Sequence, residues 1–445
     1  MGPHMIGARM EGAAKAGPAS PAGAEAPTRV PHVPAVDGFR AYAVVGIVVL
    51  HVLGLSGVLV SQQGEAFQVL VWGTVGNVIE VFFIISGFVL FLPVVARGGR
   101  MEATWPFYVR RAARIFPAYW LSLVVLLALI GLNVEPVVPF PSLWDVFVQF
   151  TAIGMPVSMF DASELIGFGI NGILWFVSII VGFYVLFPLF ARAYYRHPLI
   201  GLGVAAAISY GWREAVLQFT GFFAALEGNH VPDLAIQLTD IEQLPGWAFS
   251  FGVGMTSAWA YLRIRESHPA EKLERVALRA APIALLALGA SIYLFGHEAG
   301  LSDILAPTVA RTSPAVPIVY AASLAAAMLV VLLGPGWMRR PFVNEPARRL
   351  AEISYAVFLI HVLAGIYVGL TLLGLPSDGT LGAFLMMFAV TMAASCAYGW
   401  VSLRLVERPA RAWASRYTRR YGSSRPRRKS AEAPEPLPSG PAGQR

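Results

Sequence analysis

Long apolar stretches follow one another along most of the chain, separated by short polar connections. An apolar run of about 20 residues can cross a bilayer as a helix. Ten runs satisfy this criterion, at residues 38–61, 68–96, 107–131, 172–194, 198–223, 245–263, 278–297, 315–334, 352–374 and 380–406. A shorter apolar patch at 143–153 is too brief to span and suggests an interfacial or re-entrant helix. The pattern predicts an all-α integral membrane protein with about ten transmembrane helices.

The composition favours the same class of protein. Hydrophobic residues make up 56% of the 445 residues, charged residues only 13%, and the mean hydropathy is +0.62. Soluble proteins carry about 25% charged residues. The net charge of +7 gives no reason to expect a nucleic-acid partner, because a basic run at the C-terminus suits anionic lipid headgroups. The single cysteine, Cys396, excludes an intrachain disulfide and a Cys-based metal cluster, and we expect no bound metal.

The charges of the connections predict the orientation, because Lys and Arg favour cytoplasmic loops. Basic residues fall in alternate connections, represented by Arg97 and Arg100, Arg192 and Arg196, residues 263–279, and residues 339–349. The intervening connections are acidic or uncharged, with Arg311 as the exception. Ten helices with both termini in the cytoplasm fit this alternation, and we expect a multi-pass protein of the inner (cytoplasmic) membrane.

Both ends of the chain have the composition of tails. Residues 1–35 are rich in Ala, Gly and Pro, carry no cleavable signal sequence and are expected to be disordered. Residues 1–4 resemble a cloning remnant. The prediction therefore assigns residues 36–409 to one membrane domain and residues 410–445 to a basic, Pro-rich cytoplasmic tail.

Arg40 and His51 are two ionisable residues within the first apolar run. Eleven residues of helix bring both side chains to one face, about 16 Å apart along the axis. Ionisable groups at membrane depth usually face a polar cavity inside a helix bundle. Arg40 near the interface could instead be a snorkelling arginine, and His51, at mid-membrane depth, could be a hydrogen-bonded structural histidine.

Glu80 lies in the second apolar run at a depth similar to that of His51. A carboxylate at this depth could orient an imidazole and stabilise its charged form. It could equally be a structural partner of another polar group. The third run opens with Arg110, Arg111 and Arg114, which suit a phosphate-bearing cytosolic ligand but could also be topological arginines.

Seven short segments resemble, in order, landmarks of the membrane acyltransferase type 3 family. The context DGFRA before Arg40, followed ten residues later by His51, resembles its Arg-x10-His signature. The other segments are IEVFFIISGF, RRAARIFPAYW, LWFVSIIVGFYVLFPL, LPGWAFSFGVGM, ISYAVFLIH and VERP. Each is short, but their shared order from about Val36 to Pro409 is specific.

The resemblance implies an O-acyltransferase that moves an acyl group, commonly acetyl from acetyl-CoA, to a hydroxyl of a sugar-containing acceptor. Family acceptors include envelope glycans, glycolipids and macrolide metabolites. The resemblance makes His51 the catalytic base and Arg40 its partner, with Glu80 a further catalytic candidate. Arg110, Arg111 and Arg114, together with Arg40, would face the CoA phosphates. The candidate substrate-binding residues are His361, Tyr355, Trp175 and Ser86.

Two positions depart from the family pattern. Ile180 and Ser250 stand where the family commonly has acids, which leaves the acceptor open. Two mechanisms are also open: direct transfer with His51 as base, and an acyl-histidine relay across the membrane. A polytopic transporter or exporter has similar buried charges and is the alternative function. A sensor that kept the fold but lost the activity is a third.

Overall fold

The structure is a computed structural model, and it describes residues 31–62, 64–132, 140–161, 171–227, 236, 239–300 and 313–423. Within these ranges the chain folds into helices and short turns, and it forms no β-strand. Most of the two predicted tails, residues 1–30 and 424–445, lies outside the described residues.

Eleven long helices organise the described part of the chain. They are α1 (Pro34–Leu55), α2 (Ile79–Ala96), α3 (Thr104–Gly131), α4 (Trp175–Arg196), α5 (Pro198–Gln218), α6 (Ala248–Ser267), α7 (Ala270–Gly300), α8 (Ala315–Leu333), α9 (Glu345–Leu363), α10 (Leu381–Ser402) and α11 (Arg408–Ser423). Shorter helices connect them at Val58–Ser61, Glu65–Gly73, Leu143–Phe150, Gly154–Ser158, Thr220–Leu226 and Gly336–Arg339.

Each of the ten predicted apolar runs overlaps one of the helices α1 to α10. Eight helical segments of the described chain are long and apolar enough to cross a membrane, which confirms an all-α integral membrane protein. Helices α5 and α6, with 21 and 20 residues, are not among them, because both carry polar residues near their C-terminal ends. The crossing of these two helices and the orientation of the termini stay predictions.

Several boundaries differ from the predicted ones. The run at 68–96 is divided into Glu65–Gly73 and α2 by a short 3₁₀ turn. Helix α9 begins at Glu345, seven residues before the predicted start, and continues in wider π-helical turns through Ala364–Leu372. The apolar patch near Leu143 is a helix of eight residues that begins with a capping box between Ser142 and Asp145.

The start of the predicted C-terminal tail is not a tail in this structure. Residues Arg408–Ser423 form α11, which packs on α3 through Val109, Ala113 and Ala414. The apolar pattern of α11 was missed because basic residues dominate its sequence. This helix brings Arg411 to the end of the bundle at which α1 and α9 begin.

Helices α2 and α6 approach each other closely because glycine occupies the contact on both sides. A β-carbon at Gly87 would lie 2.1 Å from the carbonyl oxygen of Phe251, and one at Gly254 would lie 2.0 Å from that of Ile84. Small residues allow this separation in membrane helices. Helices α1 and α9 pack side by side and run in the same direction, since Arg40 contacts Ser354 and His51 contacts His361.

Candidate active site

Arg40 is held at the start of α1 by three polar contacts. Its Nη2 donates to Asp37 Oδ1 at 2.9 Å and to the carbonyl oxygen of Ala351 at 3.2 Å, and its Nε donates to Ser354 Oγ at 3.2 Å. The side chain is only 20% exposed. These contacts tie α1 to α9 and do not fit a freely snorkelling arginine.

A cavity of about 210 Å³ opens beside Arg40. Four arginines line it: Arg40, Arg111, Arg114 and Arg411. Two acids, Glu352 and Glu407, also line it, and Glu407 accepts a hydrogen bond of 2.8 Å from Arg411. With four guanidinium groups and two carboxylates the wall carries a net positive charge, which suits a ligand with several anionic groups.

Two tyrosines contribute to the wall of this arginine cavity. The guanidinium carbon of Arg111 lies 5.2 Å from the ring centroid of Tyr184, a cation–π contact that orients Arg111. The hydroxyl oxygen of Tyr355 is buried and has no hydrogen-bond partner among the described residues. Because Tyr355 lines the cavity, its unpartnered hydroxyl could bond to a ligand. Ser86 and Ile180 line the same cavity.

His51 and His361 form a pair deeper in the bundle. Nδ1 of His51 lies 3.2 Å from Nε2 of His361, and the ring centroids are 4.8 Å apart. His361 is fully buried, whereas His51 is half-buried. No group of three His, Cys, Asp or Glu residues within the described ranges could hold a metal ion. The contact between the two ring nitrogens is suited to moving a proton.

Hydrogen bonds to the backbone fix where the protons of this pair lie. Nδ1 of His51 is 2.8 Å from the carbonyl oxygen of Ile47, and Nδ1 of His361 is 2.7 Å from that of Phe358. A carbonyl only accepts hydrogen bonds, so in the neutral rings both Nδ1 atoms carry the hydrogen. Nε2 of His361 is then free to accept from His51. Nε2 of His51 keeps its lone pair and makes no hydrogen bond to the described residues.

Three phenylalanines form part of the wall of the arginine cavity, and one of them also contacts the histidine pair. Phe82, Phe176 and Phe358 line the cavity, and their ring centroids lie 5.1 to 5.9 Å from one another. The Phe358 ring also lies 6.0 Å from the His361 ring. Neither histidine lines the cavity. Within this aromatic layer, Phe358 therefore lies between the cavity and His361.

Glu80 does not lie beside His51, contrary to the expected pairing. It is 2% exposed and interacts with Ser250, Arg213 and Glu242, while the recorded polar partners of His51 are Ile47 and His361. Phe82, two residues further along α2, faces α9, and a separation of two residues turns the Glu80 side chain to the opposite side of the helix. Glu80 belongs to a buried charge cluster away from both the cavity and the histidine pair.

Two other predicted site residues also lie outside the cavity. Arg110 pairs with Glu102, and its side chain is 37% exposed. Trp175 stacks on Trp247, with ring centroids 5.7 Å apart, and does not line the cavity. The pairing with Glu102 could not be read from the arginine spacing, since Glu102 precedes α3 in a connection.

The structure adds residues that the sequence analysis did not single out. Arg411 and Glu407 join the cavity from α11 and the turn before it. Glu407 belongs to the VERP segment and Arg411 follows it by four residues, a spacing that predicts an ion pair on a helix. The aromatic layer carried no such signal, because phenylalanines are frequent in every apolar run of this chain.

Comparisons with known proteins agree with this architecture. The family described as an acyltransferase domain matches residues 33–400. The chain is 29% identical over 189 residues to "Acyltransferase MdmB" of Streptomyces mycarofaciens, covering 41% of this chain and 46% of that protein. It is 28% identical over 142 residues to "Nodulation protein 10" of Rhizobium leguminosarum bv. viciae, covering 30% of this chain and 38% of that protein.

The aligned region thus spans less than half the length of either relative. No solved structure matches the chain. The family match, in contrast, covers most of the chain and contains the arginine cavity except for Glu407 and Arg411, together with the whole histidine pair. With the membrane helices established above, these findings show that this membrane protein belongs to the acyltransferase type 3 family.

Proposed function

We propose that the protein transfers an acyl group, most simply acetyl, from acyl-CoA to a hydroxyl of a sugar-containing acceptor, with Nε2 of His51 as the general base. The observation that carries this proposal is the histidine pair, with its 3.2 Å contact and a free Nε2 on His51. A positioned imidazole is the side chain best suited to removing a hydroxyl proton near neutral pH.

The arginine cavity is the proposed site for the charged part of the donor. CoA carries several phosphate groups, and Arg40, Arg111, Arg114 and Arg411 offer guanidinium donors to them. The basic connections predict that this end of the bundle faces the cytosol of a cell whose inner membrane holds the protein. The flexible arm of CoA would then carry the thioester past the aromatic layer to the histidine pair.

The chemical step is proposed as direct transfer. Nε2 of His51 takes the proton of the acceptor hydroxyl while the hydroxyl oxygen attacks the thioester carbonyl carbon. The tetrahedral adduct then breaks its carbon–sulfur bond, and the proton passes from His51 to the departing CoA sulfur. Nε2 of His361 accepts the Nδ1 hydrogen of His51, 3.2 Å away, and so favours the charged form of His51 during the reaction.

The acceptor is proposed only as a class. The resemblance of the motif segments to the family implies a hydroxyl on a glycan, a glycolipid or a glycosylated metabolite. The name of one relative supports acyl transfer. Ile180 lines the arginine cavity where the family commonly has an acid. We therefore expect the acceptor to be bound without a carboxylate from position 180.

Thiol release from acetyl-CoA tests the proposal. The full-length protein in detergent or liposomes is assayed with candidate glycans and glycosides, and the His51→Ala variant is compared with wild type. We expect acceptor-dependent release to fall by about 10²- to 10⁴-fold, the usual contribution of a general base. His297→Ala is the matched control, because His297 lies on α7 with a 40% exposed side chain and should leave the rate unchanged.

Three outcomes would count against parts of the proposal. Acceptor-dependent release that survives His51→Ala would remove His51 from the base role. Movement of a glycan across liposomes without any thiol release would favour the transporter. Radiolabelled acetyl retained on the wild-type protein, and lost with His51→Ala, would replace direct transfer by the acyl-histidine relay.

A further inference from the structure

A second basic pocket lies near the start of α1, outside the arginine cavity. Its volume is about 420 Å³. Three arginines from two different connections line it, Arg265 at the end of α6 and Arg339 with Arg340 after α8. His32 also lines it, together with Pro34 and Ala35, the first two residues of α1. The proposed reaction makes no use of these residues.

The arginines of this pocket lack acidic counterparts. No Asp or Glu lines it, and none of Arg265, Arg339 and Arg340 forms a salt bridge within the part of the chain that the structure describes. Arg265 is nevertheless oriented, because it donates to the hydroxyl of Tyr261 and its guanidinium carbon lies 5.3 Å from the Tyr261 ring centroid. Three cations gathered without a carboxylate are suited to an external anion.

The start of α1 forms one side of the pocket and leaves its positive charge to the arginines. Pro34 and Ala35 line it, and the preceding residue, Val33, provides no side-chain cap. Pro34 has no amide hydrogen, and the amide of Val36 donates to the carbonyl oxygen of Val33. Asp37 in the first turn accepts hydrogen bonds from His32 and Arg40, so the helix start adds little free positive charge. The three arginines therefore provide the cationic groups that a phosphate would contact.

The position of the pocket favours a membrane lipid as the source of the phosphate. The pocket lies where α1 begins, α6 ends and α8 ends, which is the level of the headgroups if these helices span. Its remaining wall is apolar and includes Leu332 and Val343. We propose that this basic pocket binds the phosphate of an anionic phospholipid.

Binding of lipids to the purified full-length protein tests this proposal. Native mass spectrometry compares retention of phosphatidylglycerol with that of phosphatidylcholine, for wild type and for Arg265→Gln/Arg339→Gln/Arg340→Gln. We expect wild type to prefer phosphatidylglycerol and the triple variant to bind it roughly tenfold to a hundredfold more weakly. The control is Lys272→Gln/Arg275→Gln/Arg279→Gln on α7, which removes three exposed positive charges outside the pocket and should keep the preference.

A separate arm distinguishes lipid from soluble phosphate. Inorganic phosphate and free CoA are added at millimolar concentration during retention of phosphatidylglycerol. Continued retention supports a lipid site, whereas displacement by inorganic phosphate overturns the lipid assignment. Equal loss of binding in the pocket and control variants would overturn the site itself, since only net charge would then matter. If the triple variant unfolds, Arg339→Gln/Arg340→Gln is measured instead, because it keeps the Arg265–Tyr261 contact.

Discussion

The arginine cavity and the histidine pair lie next to each other but are built on opposite principles. The cavity is lined by four long charged side chains that reach in from α1, α3 and α11. The histidine pair is made of compact neutral rings on α1 and α9, each hydrogen-bonded to a carbonyl of its own helix. Charge gathered at an opening suits the capture of an anionic ligand, while a buried pair with fixed protons suits a reaction that must exclude water.

Neither histidine lines the arginine cavity, and so the contributions of the two regions can be measured separately. Changes in the cavity should alter binding of the donor. Changes in the histidine pair should alter the chemical step. A cavity substitution that altered only the chemical step, or a histidine substitution that altered only donor binding, would contradict the proposed roles.

The largest effect within this comparison is expected from His361→Leu. Loss of Nε2 removes one of the two acceptors of the Nδ1 hydrogen of His51 and leaves the carbonyl oxygen of Ile47, so kcat should fall by about tenfold to a hundredfold. The KM for acetyl-CoA should stay within about twofold, because His361 does not line the cavity. His361→Gln should restore part of kcat through its amide oxygen. A merely structural role for His361 would instead lower the amount of folded protein and leave Leu and Gln equivalent.

A second, smaller effect is expected from the arginines. Arg114→Gln should raise the KM for acetyl-CoA by about tenfold, since a hydrogen bond between two charged groups is lost. Arg110→Gln is the matched control from the same helix, because Arg110 pairs with Glu102 outside the cavity. Steady-state kinetics over a range of donor concentrations measure both. Equal effects of the two variants would show that general positive charge, and not the cavity, binds the donor.

The aromatic layer provides a third test, with an effect of a few-fold. Phe358→Leu replaces the ring that lies 6.0 Å from the His361 ring with a smaller side chain and should admit water to the histidine pair. Acetyl-CoA hydrolysis without acceptor should rise by about threefold, while transfer to acceptor changes less. Phe187→Leu is the control, because Phe187 is also buried but stacks on Phe107 away from the layer. An unchanged ratio of hydrolysis to transfer in Phe358→Leu would remove the barrier role.

The smallest effect concerns a carboxyl group outside both regions. Asp240 lies between α5 and α6, and burial, reinforced by nearby Glu227, raises its pKa to about 7. The folded protein therefore keeps a proton that the unfolded chain releases near pH 4, so stability decreases as the pH rises from about 4 to 7. Asp240→Asn cannot ionise and should raise Tm by a few degrees at pH 8 and by little at pH 5. Scanning fluorimetry at both pH values measures this.

An exposed aspartate should behave in the opposite way. Hydrogen bonds from Thr380 lower the pKa of Asp378. The stability that this carboxylate contributes is present at neutral pH and lost as the pH falls, so Asp378→Asn should lower Tm slightly at pH 8. Neither variant should change acyl transfer. A change in kcat for Asp240→Asn would link this carboxyl to the site.

The sequence predicted the helices well because each membrane-spanning helix corresponds to one continuous apolar run of residues. It also predicted that Arg40 and His51 share a face of α1, since that depends only on the helical repeat. Arg111 and Arg114 were predicted together with Arg110, and only the neighbouring Glu102 distinguishes Arg110 from the other two. The 3.2 Å contact between His51 and His361 joins residues 310 positions apart, which no local pattern contains.

Which side chains meet in the site depends on how each helix is rotated relative to its neighbours. Glu80 and Phe82 are two residues apart, yet the packing of α2 directs Phe82 to the aromatic layer and Glu80 to Arg213. Arg411 enters the cavity because α11 folds back on α3, although its sequence has the composition of a tail. The sequence by itself determined the membrane helices, the family and the residues able to do chemistry, because these follow from local composition and motif order. The tertiary structure decided which of those residues meet, because helix rotation and contacts between distant segments set the distances between side chains.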